Sequence, residues 1–125
     1  MEFENLAYEV DGPVASLRFD RPERLNALSK SLLREIVIVA DELRRDRTVR
    51  VVVVSGAGRS FSAGFDLGDF ASRDQSPREG ADLGRQATEA LTDVPQLTIA
   101  AIHGHCVGGG RSEEHTSELQ SRQYL

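Results

Sequence analysis

Four consecutive valines at positions 51–54 restrict the fold of this chain more than any other feature of its sequence. An unbroken β-branched run is typical of a strand that is buried on both faces of a parallel sheet. Parallel strands need a crossover between them, and the preceding residues supply a helix. Apolar residues recur at helical spacing from Leu32 to about Arg45, with Ser29 or Ser31 at the N-cap. The pattern therefore predicts an α/β fold with a strand–helix–strand crossover.

The flanking segments extend this pattern in both directions. Two short β-branched stretches separated by Asp11, Gly12 and Pro13 predict an N-terminal hairpin. Polar stretches that contain glycine and proline mark the loops between the remaining predicted elements. In chain order we predict strands at 6–10 and 14–19, the helix to 45, a strand at 50–55, a mobile loop at 72–80, a weaker helix at 81–92 and a strand at 97–102.

Size and charge exclude several classes of protein. A chain of 125 residues is one globular domain or part of one. With 15 basic and 20 acidic residues its net charge is −5, so nucleic acid is not an expected partner. Its apolar runs are far shorter than the roughly 20 residues of a membrane helix. The acidic N-terminus and the single cysteine give no sign of a signal peptide or a disulfide framework, so we expect a cytoplasmic protein without a membrane partner.

Glycines follow two of the predicted strands, at Gly56 and at Gly104. The carboxyl ends of parallel strands meet at one edge of a sheet, which is where ligands bind in open α/β folds. Glycine lets the backbone approach a ligand closely, and a helix that begins nearby offers unpaired N–H groups. We therefore expect a site for a negatively charged group at this edge.

Three motifs occur here in the order and spacing of the enoyl-CoA hydratase/isomerase, or crotonase, superfamily. They are RLNALS at 24–29, VVVVSGAGRSFSAGFDL at 51–67 and TIAAIHGHCVGGG at 98–110. The chain resembles this family over residues 1–110. The resemblance implies the truncated N-terminal part of a crotonase-like spiral of ββα turns that binds an acyl-CoA thioester.

The resemblance also implies the residues of the site. Two backbone N–H groups would hold the thioester oxygen as negative charge develops on it, and they belong to Phe65 and Gly109. Preorganised donors of this kind each contribute about 2.7–4 kcal/mol in other enzymes. The implied substrate-binding residues are Arg24, Leu25 and Ala27, which lie against the nucleotide end of CoA, and Asp66 and Leu67, which help to shape the pocket. They also include Ala63, Gly64 and Gly108, which directly precede the two donors.

Coenzyme A is part of the substrate in this family, so the resemblance implies no separate cofactor and no metal. It also implies a homotrimer or a dimer of trimers, although that assembly depends on C-terminal helices. Hydration, isomerisation and the other family reactions, some of them in fatty acid metabolism, differ in residues beyond Gly110. The sequence therefore leaves both the reaction and the acyl group open.

The last fifteen residues depart from the family pattern. A glutamate usually stands two positions after the last glycine, and Ser112 occupies that position here. Residues 111–121 match the translation of a common short-read sequencing adapter, so we expect 111–125 to be a non-native tail. Glu113 and Glu114 are then unrelated to a catalytic acid. We expect the chain as written to lack the catalytic carboxylates and to be inactive.

Two alternatives remain open. The chain could be a non-catalytic fragment with only a partial CoA site. Alternatively, Cys106 within GHCVG could be the nucleophile of an α/β-hydrolase, although such an enzyme needs a downstream histidine and only His115 in the suspect tail follows. A dinucleotide fingerprint is disfavoured because Phe61 stands where its last glycine belongs. His103 and His105 are interpreted as loop or packing residues.

Overall fold

The computed structural model of the chain describes residues 2–62, 64 and 77–104, and it shows an α/β fold. Neighbouring strands run in the order β1-β2-β3-β4 in one sheet. The β1–β2 pair is antiparallel, and the β2–β3 and β3–β4 pairs are parallel. The elements are β1 (Leu6–Asp11), β2 (Val14–Phe19), a 3-10 turn (Pro22–Arg24), α1 (Lys30–Arg45), β3 (Val51–Gly56), α2 (Pro77–Thr92) and β4 (Leu97–Ala100).

Helix α1 makes the predicted crossover between β2 and β3. Ser29 is its N-cap, and the Ser29 hydroxyl accepts a hydrogen bond from Leu32 N at 3.2 Å. The other end is closed by Gln96, whose Nε2 donates to Leu43 O at 2.6 Å. Leu43 O is one of the last carbonyls of the helix, which have no partner four residues on, and it also accepts from Asp46 N at 3.2 Å. Within the described residues no helix is long and apolar enough to cross a membrane.

The two helices pack on the same face of the sheet, which corrects the prediction of a strand buried on both sides. Val52 and Val54 are fully buried in the core, whereas Val51 and Val53 are only half-buried. The valines alternate because strand side chains point to opposite faces in turn. The shared core also takes residues from both helices, namely Leu32, Leu33, Ile36, Val39, Ala40 and Leu43 of α1 and Ala87, Ala90 and Leu91 of α2.

Helix α2 begins at Pro77, four residues before the predicted start at Ala81. The prediction of a loop over 72–80 was therefore wrong for its last four residues, and 72–76 lie outside the described residues. Proline suits the first turn of a helix because its missing N–H would have no helical partner there. Strand β4 ends at Ala100 and so is two residues shorter than predicted.

Candidate functional site

The loops that follow β3 and β4 lie against each other at the carboxyl edge of the sheet. Phe61 N donates to His103 O at 2.8 Å, and His103 Nε2 lies 2.9 Å from Gly58 O. This confirms the prediction that the loop at Gly56, after β3, and the loop at Gly104, after β4, lie at the same edge of the sheet. His103 makes a loop contact of the kind predicted for it.

A third loop, which joins β2 to α1, is tied to the same edge by Asn26. This side chain is fully buried, and its amide Nδ2 donates to Ala57 O at 2.8 Å and to Ser60 O at 2.7 Å. Its Oδ1 accepts from Arg21 N at 2.8 Å. Both polar atoms of the side chain are therefore satisfied, which a buried amide requires. Asn26 thus joins the loop after β2 to the loop after β3.

The backbone around Asn26 adopts an unusual conformation. Leu25 and Asn26 both have positive φ, at 53° and 55°. Asparagine tolerates this left-handed region, whereas a residue such as leucine does so at a cost of roughly 1–2 kcal/mol. Arg21 holds the turn, because Arg21 O accepts from Asn26 N at 2.8 Å and the Arg21 guanidinium donates to Ala27 O at 2.6 Å. The surrounding contacts therefore maintain a strained turn beside the site.

Gly64 is held at both of its backbone polar groups. Its N–H donates to Ser62 Oγ at 3.1 Å, and its carbonyl accepts from Leu28 N at 2.7 Å. Its φ is +87°, a conformation that a side chain would strain, so glycine is required there. The backbone at this position is thus fixed from two loops at once.

An apolar cavity of about 150 Å³ lies beneath the loops, between the sheet and the two helices. Leu28, whose N–H holds Gly64, contributes to its wall. Phe19 and Phe61 also face it and meet edge to face, with ring centroids 5.5 Å apart. The other lining residues are Leu33, Ile36, Val54, Ala87, Thr88, Leu91 and Thr92. The backbone groups of the site therefore lie next to apolar surroundings, where electrostatic interactions are stronger than in water.

Four of the predicted site residues fall within the described part of the chain and lie at this edge. Arg24 ends the 3-10 turn and is exposed, Leu25 and Ala27 are half-buried, and Gly64 is buried. The other predicted residues lie outside the described residues, and they are Ala63, Phe65, Asp66, Leu67, Gly108 and Gly109. His105 and Cys106 of the hydrolase alternative also lie outside them.

Sequence reasoning did not single out Asn26 or Ser62, although both lie within the motifs that it used. Their contacts join positions 34 and 36 residues apart, which no local pattern reports. Asn26 did carry one usable signal, because asparagine is enriched where the backbone turns left-handed. In the described part of the chain, no group of three or more His, Cys, Asp or Glu side chains could hold a metal ion.

The sheet has parallel strands joined by crossovers, and backbone groups of three loops meet at its carboxyl edge. This arrangement is typical of α/β proteins that bind ligands beyond the carboxyl ends of their strands. The sequence profile of the enoyl-CoA hydratase/isomerase family matches residues 9–113. The chain therefore belongs to the enoyl-CoA hydratase/isomerase family.

The similar proteins include a dienoyl-CoA isomerase and an enoyl-CoA hydratase. The mitochondrial Delta(3,5)-Delta(2,4)-dienoyl-CoA isomerase of Homo sapiens is 36% identical over 78% of this chain and 33% of its own length. The short-chain-enoyl-CoA hydratase of Clostridium acetobutylicum is 35% identical over 88% of this chain and 43% of its own length. The crystal structure of an enoyl-CoA hydratase from Bacillus anthracis superposes with a TM-score of 0.79 at 32% identity, over 86% of this chain and 43% of that one. The chain thus spans between a third and a half of the length of these relatives, and the match to solved structures confirms the N-terminal part of the crotonase fold.

Proposed function

We propose that this chain forms the part of an acyl-CoA site that holds the thioester oxygen, with the backbone N–H groups of Phe65 and Gly109 as donors. The observation that carries the proposal is the anchored carbonyl of Gly64, which accepts from Leu28 N at 2.7 Å. A peptide group is planar and trans, so a fixed carbonyl also fixes the direction of the N–H that follows it. The donor assigned to Phe65 belongs to that same peptide group.

The chemistry needs donors that do not move. An enolate that forms on a thioester concentrates negative charge on one oxygen, and donors already in place avoid reorganisation during the reaction. The backbone beside the site meets this requirement, since Gly64 is bonded at both its N–H and its carbonyl. Phe61 and Ser62, which precede Gly64 in the same loop, are both buried, so water has little access to their side chains.

The nucleotide end of CoA carries phosphate groups, and we assign it to the loop after β2. Arg24 is an exposed cation at the same edge as Gly64, and Leu25 and Ala27 present partly exposed apolar surface next to it. A guanidinium pairs well with phosphate oxygens. We assign Asp66 and Leu67 to the walls of the pocket, and Ala63 and Gly108 to substrate binding beside the two donors.

The activity of the whole protein is part of the proposal, because this chain covers only 33–43% of the enzymes it resembles. We infer that the complete protein processes an acyl-CoA thioester through an oxyanion-stabilised enolate. In the same proposal, residues 1–110 supply the oxyanion donors, and the acid–base carboxylates of hydratase-type members follow Gly110. A cytoplasmic location and a trimer or dimer of trimers belong to the same proposal.

Calorimetric titration of the 125-residue chain tests the binding function. We expect butyryl-CoA to bind more tightly than free CoA, since only the thioester offers the oxygen. We expect Arg24→Ala to weaken both ligands about two- to fivefold, as the loss of one exposed charge contact does. Arg45→Ala is the matched control, because Arg45 is also an exposed arginine but ends α1 at the opposite edge of the sheet. Equal affinity for CoA and butyryl-CoA, or no binding of either, would contradict the proposal.

A further inference from the structure

A closed circuit of hydrogen bonds connects Asn26 to Gly64 through Ser62. The Ser62 hydroxyl donates to Asn26 O at 3.0 Å and accepts from Gly64 N at 3.1 Å. Gly64 O in turn accepts from Leu28 N at 2.7 Å, two residues along the chain from Asn26. The chain of hydrogen bonds therefore begins and ends in the loop between β2 and α1.

Ser62 is fully buried, and so is Asn26, so water does not compete for their hydrogen bonds. A serine hydroxyl has a single hydrogen to donate, and Ser62 uses it on Asn26 O. Its lone pairs remain available for Gly64 N–H. This defines one direction of donation, from Gly64 to Ser62 to Asn26.

Ser60 shows that burial of a serine in this loop does not by itself create such a link. It is only 1% exposed, but its hydroxyl has no hydrogen-bond partner among the described residues. Its backbone carbonyl accepts a hydrogen bond from the Asn26 amide. The two serines thus share their residue type, burial and loop, and they differ in the hydroxyl contact.

We propose that Asn26 and Ser62 are positioning residues that set the orientation of the Gly64 backbone, and through it the N–H donor that follows Gly64. The inference rests on the proposed function, because it gives that orientation a catalytic purpose. Asn26 fixes the two loops relative to each other, and Ser62 transmits that arrangement to Gly64. Neither side chain needs to touch the substrate.

Without the Ser62 hydroxyl, the Gly64 N–H would be left in a buried place with no acceptor. The peptide group between residues 63 and 64 could then rotate toward another partner. Because Gly64 links it to the next peptide group, which carries the Gly64 carbonyl and the assigned donor, that donor would turn as well. Catalytic groups need to be held within about 0.5 Å and 10–20° of the productive geometry. A small rotation at Gly64 is therefore enough to weaken the bond to a thioester oxygen.

The test compares Ser62→Ala with Ser60→Ala in the full 125-residue chain. Amide hydrogen exchange at Gly64, followed by NMR, measures the local link. We expect it to be about fivefold faster in Ser62→Ala, the factor for loss of a hydrogen bond of about 1 kcal/mol. We expect Ser60→Ala to leave it unchanged. Exchange at Val54 in β3 serves as the reference for global opening.

A second measurement reports the donor itself and would not respond to a merely structural role. Butyryl-CoA labelled with ¹³C at the thioester carbonyl shifts its resonance when that oxygen accepts hydrogen bonds. We expect the shift on binding to be reduced by at least half in Ser62→Ala and retained in Ser60→Ala. Asn26→Asp, which places an acceptor where Nδ2 donates, is expected to reduce it in the same way.

The outcomes separate this inference from the proposed function. Equal Gly64 exchange in the two serine variants overturns the inference, and so does an unchanged carbonyl shift in Ser62→Ala. If the unmodified chain does not bind the labelled thioester, the proposed function fails. In that case Gly64 exchange still decides whether Ser62 orients this backbone. Should Asn26→Asp not fold, the two serine variants suffice.

Discussion

Replacing Gly56 with alanine tests whether the close approach of two backbone segments builds the site. Gly56 ends β3, and a methyl group added there would lie 2.5 Å from Phe61 O and 2.7 Å from Ser60 O. Both obstacles are backbone atoms, which cannot swing aside as a flexible side chain can. The Ser60 carbonyl is also the acceptor for the Asn26 amide. The substitution is therefore expected to push the loop after β3 away from the loop after β2.

The magnitude follows from two contributions. Overpacking a filled position costs about 1–3 kcal/mol. Moving the Ser60 carbonyl also weakens its bond to Asn26, which contributes about 1 kcal/mol. Alanine offsets about 0.4–1 kcal/mol of this by restricting the unfolded chain. We expect Gly56→Ala to lower the free energy of unfolding by about 1–3.5 kcal/mol, or the melting temperature by on the order of 10 °C.

Urea and thermal unfolding followed by circular dichroism measure this loss. Gly12→Ala is the control, because a methyl group there meets no atom within 4 Å and the substitution carries only the cost of a positive φ. That cost is about 1–2 kcal/mol. The side-chain amide resonances of Asn26 should shift in Gly56→Ala and stay in place in Gly12→Ala. A Gly56→Ala chain as stable as the unmodified one would refute the close-approach argument.

Four further outcomes are expected. Hydrogen bonds from Thr48 lower the pKa of Asp46, so the ionised carboxylate stabilises the fold above the ordinary carboxyl pKa, and this stabilisation is lost as the pH falls through the lowered pKa. Urea titrations should therefore show that Asp46→Asn is less stable than the unmodified chain at pH 7 and equally stable in acid. Phe61→Ala removes a 2%-exposed ring and should cost about 3–5 kcal/mol by urea unfolding, and a loss below 1 kcal/mol would contradict its place in the core. A spectrophotometric assay should detect no hydration of crotonyl-CoA by the 125-residue chain, and turnover abolished by Glu113→Gln would overturn the assignment of the tail. Deleting residues 111–125 should leave the far-ultraviolet circular dichroism spectrum of the remaining chain unchanged, whereas a large loss of signal would make that segment part of the domain.

The element order and the shared edge of the sheet could be predicted from the sequence, because the signals for them are local. Apolar periodicity predicts α1, and Ser29 at its start is the observed cap. Glycines at or shortly after strand ends predict where loops approach each other, and the loops at Gly56 and Gly104 meet as predicted. Such patterns report what a segment does with its own neighbours, which is enough for strands, helices and turns.

Two predictions were wrong where tertiary packing decides. The valines at 51–54 suit a strand buried on either or both faces, and only the placement of α1 and α2 on one side selects Val52 and Val54 for the core. The start of α2 at Pro77 was missed because a polar stretch with a proline is also typical of a loop. In both cases the local pattern is compatible with two structures.

The sequence by itself determined the family, the α/β crossovers and the edge at which the loops meet, because motif spacing, periodicity and glycine placement are written along the chain. Only the tertiary structure decided how the backbone of that edge is held. Asn26 reaches Ala57 and Ser60 across 31 and 34 residues, and Ser62 joins Asn26 to Gly64. A buried hydrogen bond depends on which donor and acceptor the fold places within about 3 Å of each other. That distance exists only after the chain has folded.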